Sequence, residues 1–401
     1  MKRLLILGGS KYIVPVIKKA HDLGVFVISC DYLPNNYGHK FSDKYLNISI
    51  IDKEKVLEAA KNEKIDGIIS FACDPGVETA CYVAEKLSLP NVGPYESICI
   101  LQNKNSFRSF LEKNGFNTPF HKSYLSMEEV EKEKDKLIYP VIVKPTDSAG
   151  SKGVAKVTNS KELSIAASKA FSASIYKEII VEEFLDCKGF QSDADSFFRN
   201  GELLYFGTSS QMYDSGSNNP FVPSSYFWPS TISKQNLSYL KTELTRLFTL
   251  LRIQTAIFNI ELRENSQGKP YIMEASPRGG GNRLSEMVEF MTGQDLITEY
   301  LKYSLNLGGE EIKITQASSK DGWCEIILHS NKEGEFLDLE IDKNILPYLI
   351  DKDLWVKKGS KVSGFTGADQ TIGTLIFKFE NKQQMMDFLN NLEKYLNVIV
   401  K

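Results

Sequence analysis

The sequence predicts an α/β fold: a doubly wound parallel α/β domain at the N-terminus, α+β structure through the middle, and a small α+β module at the end. Three observations predict it. In the first hundred residues, short apolar runs at 4–7, 25–29 and 67–70 alternate with helical patterns at 13–23 and 56–62, as in a parallel sheet wrapped by helices. Between Phe258 and Arg283, FNIELRENSQGKPYIMEASPRGGGNR, two period-2 runs flank a turn-rich segment with Gly268 and Pro270, the pattern of a β-hairpin. Past residue 306 the pattern changes to strands at 323–329 and 371–379 and a helix at 383–396.

A chain of 401 residues is long enough for two to four domains, and 42% hydrophobic with 25% charged residues is an ordinary globular composition. A net charge of −3 without a long basic run gives no electrostatic footprint for nucleic acid. The six cysteines, Cys30, Cys73, Cys81, Cys99, Cys187 and Cys324, form no CxxC pair, which predicts reduced thiols and no zinc site. Lys2 and Arg3 before an apolar run open like a signal peptide, but Gly8, Gly9 and Lys11 end it too early. No stretch is long enough to span a bilayer, so the expectation is a cytoplasmic protein with no membrane or nucleic-acid partner.

Gly8, Gly9 and Ser10 follow the first strand and open a helix, where an anion can meet free N–H groups. Asp31, past the second strand, stands where a dinucleotide-binding fold keeps its ribose carboxylate, so a nicotinamide site is one reading. GGS is not GxGxxG, and a small anionic substrate at Gly9 and Ser10 ranks above it. Cys73, Asp74, Pro75 and Gly76 lie past the third strand, at the carboxyl edge where such sheets bind ligands.

Residues 103–114 read as a helix that buries Phe107, Phe110 and Leu111 and stops at Gly115. Lys104 in its first turn opposes the helix dipole, so it is either solvated or facing a phosphate. Ser126 and Glu129 form a capping box for a helix ending near Lys136. In YPVIVKPTDSAGSKGV a short strand at 141–143 ends in Lys144, and a small-residue loop at 146–153 follows. Such a loop can wrap phosphates with backbone N–H groups, although it is not a Walker loop. The next strand, EIIVEEFL at 178–185, sets two acids in an apolar run where a hinge edge can pair with a purine. Residues 211–230 are too rich in Gly, Pro, Ser and Asn for a helix. They read as an aromatic lid, or as a surface loop pinned by Tyr213, Phe221, Tyr226, Phe227 and Trp228. Leu237, Leu240, Leu244, Leu247 and Leu251 then repeat at helical spacing.

In the hairpin, alternation decides which side chains share a face. With Glu264 paired to Tyr271, Glu261 lies opposite Glu274, and both point away from the side carrying Ile260 and Met273. Opposed like charges destabilise a sheet and ask for a cation between them. Mg²⁺ takes one or two carboxylates and completes its shell with phosphate and water, so a metal here implies a nucleotide. A solvated acidic face is the alternative. Arg278 offers a fork of donors to an anion, and Gly279, Gly280 and Gly281 allow close backbone approach.

From Lys104 through Arg278 the order of these motifs resembles the ATP-grasp superfamily, especially its carboxylate-amine ligases and the carbamoyl phosphate synthase large-chain branch. GGS and ISFACDPGVETACYVAEKLSLP resemble the domain that precedes ATP-grasp in those ligases. The resemblance implies domains at 1–98, at 99–306 with a small lid subdomain at about 120–186, and at 307–401. It implies ATP and Mg²⁺, or Mn²⁺, as cofactors. Lys104 and Lys144 would contact the phosphates, with Gly150, Ser151 and Gly153 in the loop that closes over them. Glu182 would take the adenine amino group, the backbone of Glu183, Phe184 and Leu185 the ring edge, and Gln191 the ribose. Glu261 and Glu274 would hold the metal. Ser276, whose hydroxyl could also ligate the metal, stands where the family commonly has Asn, an amide that Asn259 or Asn282 could supply. Arg278 would face the transferring phosphoryl group, and Gly9, Ser10, Asp74, Arg278 and Arg283 are the expected substrate contacts.

The implied reaction activates a small-molecule carboxylate as an acyl phosphate for attack by an amine. Lys144 and Arg278 would serve it by neutralising the charge that spreads in phosphoryl transfer. His21, His39, His121 and His329 show no triad spacing and read as structural or surface groups. The C-terminal module carries no candidate catalytic residue; it would complete the substrate cleft or a homodimer contact. Two alternatives stay open: a kinase that releases a phosphorylated small molecule, and a non-catalytic nucleotide sensor, which would lack the metal acids.

Overall fold

The computed structural model of the chain describes residues 1–147, 150, 152–308 and 320–401. It falls into two compact units. Unit 1 takes in Met1–Lys188, Ala194–Phe206 and Ser233–Thr315, and unit 2 takes in Gly189–Asp193, Gly207–Ile232 and Gln316–Lys401.

Unit 1 opens with β1 (Arg3–Leu7), α1 (Val14–Asp22), β2 (Phe26–Cys30), β3 (Lys44–Leu46), α2 (Lys53–Glu63), β4 (Gly67–Ser70) and α3 (Val77–Lys86). The strands pair in parallel in the order β3-β2-β1-β4. β1 is central because Leu4, Leu5, Ile6 and Leu7 are apolar on both faces, and all four are fully buried. The parallel sheet expected in the first hundred residues is thus present.

Next come α4 (Tyr95–Gln102), α5 (Lys104–Lys113), β5 (His121–Tyr124), α6 (Met127–Glu133), β6 (Val141–Pro145), β7 (Ala155–Val157), α7 (Ser160–Ala173) and β8 (Ile179–Glu183). These strands form an antiparallel sheet ordered β5-β8-β6-β7, with Val141, Val143 and Val181 packed on Leu163 and Ala167 of α7. Ser126 caps α6 by accepting from the Glu129 N–H at 3.3 Å, and the Glu129 carboxylate reaches back to the Leu125 N–H at 2.8 Å.

The chain continues through β9 (Ser192–Arg199), β10 (Glu202–Phe206), β11 (Ser210–Tyr213), β12 (Pro223–Trp228), α8 (Lys234–Leu250), β13 (Thr255–Glu264), β14 (Pro270–Ser276), α9 (Leu284–Thr292) and α10 (Leu296–Ser304). One sheet is ordered β10-β9-β13-β14. The expected leucine stripe of α8 buries Leu240, Leu244 and Leu247, and Phe248 stacks on Phe258 of β13 with ring centroids 4.0 Å apart.

In unit 2, β15 (Gly322–Leu328), β16 (Gly334–Ile341), β17 (Leu349–Leu354), β18 (Lys361–Val362), β19 (Gly373–Phe379) and β20 (Leu396–Val400) accompany α11 (Lys382–Leu389) and α12 (Leu392–Tyr395). Two sheets result, β11-β12-β15-β19-β17 and β18-β16-β20. Two expectations need correction here. Residues 211–230 are not irregular throughout, because β11 and β12 flank the stretch 214–222, pair with each other, and β12 pairs with β15, Phe227 opposite Cys324. Small Ser224 and Ser225 beside three large aromatics let this strand bury itself: Phe227 is fully buried, and Tyr226 and Trp228 nearly so. The expected helix at 383–396 breaks after Leu389, and its last residue starts β20, whose LNVIV is β-prone. Among the described residues no helix is long and apolar enough to cross a membrane, and all six cysteines are free.

Candidate active site

The acidic hairpin sets the two glutamates opposite one another by a route the alternation alone does not supply. Glu264 pairs with Pro270, Arg263 with Tyr271 and Leu262 with Ile272; the register then shifts, and Glu261 pairs with Glu274, Ile260 with Ala275 and Asn259 with Ser276. The expected Glu264–Tyr271 pairing is therefore off by one. Met273 is the extra residue of a β-bulge, and the bulge restores the opposition of the acids. Burial pushes the Glu261 carboxyl above its usual range, and the like charge of Glu274 adds to the shift.

Lys104 answers these acids. Asn103 caps α5 by accepting from the Ser106 N–H at 2.8 Å, and the Lys104 N–H donates to the Thr146 carbonyl at 3.0 Å, so the helix start is tethered beside β6. The Lys104 ammonium lies 3.7 Å from Glu274. Burial alone would lower its pKa, but Glu274, Asp74 and Glu261 outweigh that and raise it. The cation in the first turn is thus not simply solvated: carboxylates offset its unfavourable place in the helix dipole.

A second charge cluster lies across β6 and β8. Ile142 is the register partner of Glu182, so Lys144, two residues on, shares a face with it. The Lys144 ammonium sits 2.7 Å from one Glu182 oxygen, and Nε of Arg108 sits 2.8 Å from the other. Burial would raise the Glu182 carboxyl, yet Arg108 and Lys144 hold it down to about 2. The cost falls on Lys144, whose pKa burial lowers, with Arg108 and Lys104 pushing the same way. Arg108 was invisible to the sequence reading; its signal was the four-residue spacing from Lys104, which puts both cations on one face of α5. The Glu182 carboxylate, expected to meet an adenine amino group, is engaged by these two cations. At the neighbouring edge the Glu183 N–H donates to Phe120, the Phe184 N–H to Pro140, and the Leu185 carbonyl accepts from Arg263.

Arg278 is gripped by Asp74. Nε and Nη2 donate to the two Asp74 oxygens at 2.8 and 2.7 Å, and Nη1 donates to the Gly279 carbonyl at 3.0 Å. Burial works to lower the Arg278 pKa, but Asp74 raises it; burial works to raise the Asp74 pKa, but Arg278 lowers it. Ser276, expected beside the metal, donates its hydroxyl to Asp74 at 2.8 Å and accepts from Gln102 at 3.0 Å. The amides considered in its place are also engaged, Asn259 with Asp195 at 3.2 Å and Asn282 with the Tyr12 hydroxyl at 2.9 Å.

Asp195 is a second functional-region residue that the sequence reading passed over. It accepts from the Gly280 N–H at 3.0 and 2.9 Å, from Asn259 and from the Ser285 hydroxyl. A Cβ on Gly280 would stand 2.7 Å from the Asp195 carboxylate, and one on Gly279 would stand 2.3 Å from the Phe71 ring. The close backbone approach expected of these glycines is to the protein's own side chains.

Of the remaining candidates, Gly150 and Gly153 have left-handed φ of 67° and 73°, while Ser151 lies outside the described residues. Gln191 belongs to unit 2, where its carbonyl accepts from the Gln211 N–H at 2.8 Å. Arg283 heads α9 and pairs with Glu286 at 3.0 Å. The space a Cβ on Gly9 would need is filled by Asn36 and His39, which leaves a dinucleotide pyrophosphate no close approach there. The Ser10 hydroxyl is buried without a hydrogen-bond partner among the described residues.

Glu261 and Glu274 fit a hard divalent ion, since an opposed, partly desolvated pair supplies anionic oxygen from two directions. Among the described residues no group of three or more His, Cys, Asp or Glu side chains could hold a metal, and an ion on this pair would draw further oxygen ligands from substrate and water. Residues 137–286 match the model of the ATP-grasp domain. Over 269 residues the chain is 26% identical to the carbamoyl phosphate synthase large chain of Clostridium botulinum, covering 66% of this chain and 24% of that one. The chain thus spans about a quarter of that relative's length. Its fold matches an L-amino acid ligase from Bacillus licheniformis with a TM-score of 0.79 and 21% identity, over 100% of this chain and 99% of the other. It also matches a phosphoribosylglycinamide synthetase from Anaerococcus prevotii with a TM-score of 0.76 and 21% identity, over 100% of both. The 137–286 segment is an ATP-grasp domain.

Proposed function

We propose that the chain is an ATP- and Mg²⁺-dependent ligase that activates a small-molecule carboxylate as an acyl phosphate and joins it to an amine. The observation that carries this reading is the pair Glu261 and Glu274, opposed across a bulge with the Lys104 ammonium 3.7 Å from one of them. A bound Mg²⁺ on that pair would neutralise phosphate charge during transfer. The names of the structural neighbours, an amino acid ligase and a glycinamide synthetase, support ligation of a carboxylate to an amine.

In the proposed reaction a carboxylate oxygen attacks the γ-phosphorus of ATP, the bond to the bridging oxygen breaks, and ADP leaves. The amine then attacks the acyl carbon, phosphate departs with the C–O bond electrons, and the amine nitrogen loses a proton. Lys104 and Lys144 would balance phosphate charge. Arg278 has three of its N–H donors committed to Asp74 and Gly279, and an arginine has five, so two are left for an anion. Asp74 would fix the guanidinium plane for that contact.

A phosphate-release screen with MgATP over amino acids and other small carboxylates, each with and without amines, tests the reading. Phosphate release that needs both a carboxylate and an amine supports it. A phosphorylated product without free phosphate would make the chain a kinase, and ATP binding without turnover a sensor.

A further inference from the structure

Resting on the nucleotide reading above, we propose that Arg108 is a positioning residue: it keeps the Glu182 carboxylate paired while Lys144 turns from that carboxylate to a nucleotide phosphate. Three side chains share the cluster, and their exposures differ. The Arg108 and Glu182 side chains are 1% and 0% exposed, whereas that of Lys144 is 14% exposed. Lys144 is the one member with a way out.

An exchange of that kind has a cost to meet. A buried carboxylate that loses a cation is left with an uncompensated charge, so Glu182 alone would keep Lys144 at home. Arg108 removes the obstacle. Its Nε already sits 2.8 Å from one Glu182 oxygen, and its Nη1 and Nη2, buried beside it, have no hydrogen-bond partner among the described residues. A guanidinium presents parallel N–H groups at the spacing of two carboxylate oxygens, so an Nη can take the oxygen that Lys144 vacates. A lysine at the same position would add a charge but could not cover both oxygens. Arg108 also stands one turn beyond Lys104 on α5, which ties this cluster to the lysine beside the acidic hairpin.

Calorimetric titration of MgATP into the wild type, R108M, R108K and the double variant R108M/E182Q tests this. R108M should bind roughly tenfold to a hundredfold more weakly, the worth of one charge-assisted hydrogen bond, with a smaller change in kcat at saturating ATP. R108K should recover only part of the affinity. R108M/E182Q should bind more tightly than R108M, because a neutral amide does not hold Lys144. Should R108M fail to fold, R108K and the double variant decide. Wild-type affinity in R108M or R108K overturns the proposal, as does a double variant no tighter than folded R108M. Absence of MgATP binding by the wild type would overturn the nucleotide reading itself, and this inference with it.

Discussion

Replacing Asp195 by alanine should unfasten the turn that follows β14. The carboxylate is 2% exposed, so water cannot readily stand in for it. Its removal takes an acceptor from the Gly280 N–H, the Asn259 amide and the Ser285 hydroxyl, all of which now donate to it. A buried donor without an acceptor costs about 1–3 kcal/mol, and three sharing one site do not add fully, so Asp195→Ala should cost unit 1 about 3–5 kcal/mol. Asp195→Asn keeps the shape and one oxygen but points an amine at another donor, for about 1–2 kcal/mol. The choice of probe matters. Trp228, Trp323 and Trp355 are the chain's three tryptophans, and all lie in unit 2, so their fluorescence does not report on unit 1. Denaturant unfolding should be followed by far-ultraviolet circular dichroism, with amide hydrogen exchange on β13 and β14. Exchange free energies in β14 for Asp195→Ala within about 1 kcal/mol of the wild type would refute this account of the cluster.

Other expectations are as direct. Glu274→Gln should lower ATP-dependent turnover at least ~10²-fold, by analogy with loss of one electrostatic stabiliser, and near-wild-type product formation would remove the acid pair from the mechanism. Glu182 has a folded pKa of about 2, below its ordinary 4.5, so its contribution is present above that ordinary value and fades as pH falls toward 2. The loss should be on the order of 3 kcal/mol, and acid titrations of stability that run parallel in wild type and Glu182→Gln would contradict it. Gly279→Ala puts a methyl 2.3 Å from the Phe71 ring on a segment held by the Ala72 N–H at 3.1 Å. It should destabilise by about 1–3 kcal/mol and lower activity by displacing Arg278; a melting temperature unchanged from wild type would show that the turn relaxes freely.

The sequence was most legible where burial and periodicity agree. β1, β2 and β4 are apolar on both faces, so each was found within a residue of its bounds, and the leucine repeat that begins at Leu237 falls on α8. The opposed acids were found through a pairing that is wrong at the turn and right at the site, since period-2 counting cannot see a bulge at Met273. Arg108 and Asp195 escaped because a charged residue in an amphipathic helix or a polar strand reads as solvated until tertiary packing buries it. β11 and β12 escaped because Gly, Pro, Ser and Asn around them signal a loop, while their pairing partner β15 is a hundred residues away in sequence.

The chain passes between its two units five times. That threading bears on any attempt to dissect the protein genetically. A fragment stopped near residue 306 would carry β12 without β15, presenting Phe227 and an unpaired strand edge to solvent, an invitation to aggregate during expression. The complementary fragment would lack β11 and β12 and expose the matching edge of β15. Neither half should be prepared alone, and any shortened form should keep the 207–232 excursion that supplies β11 and β12.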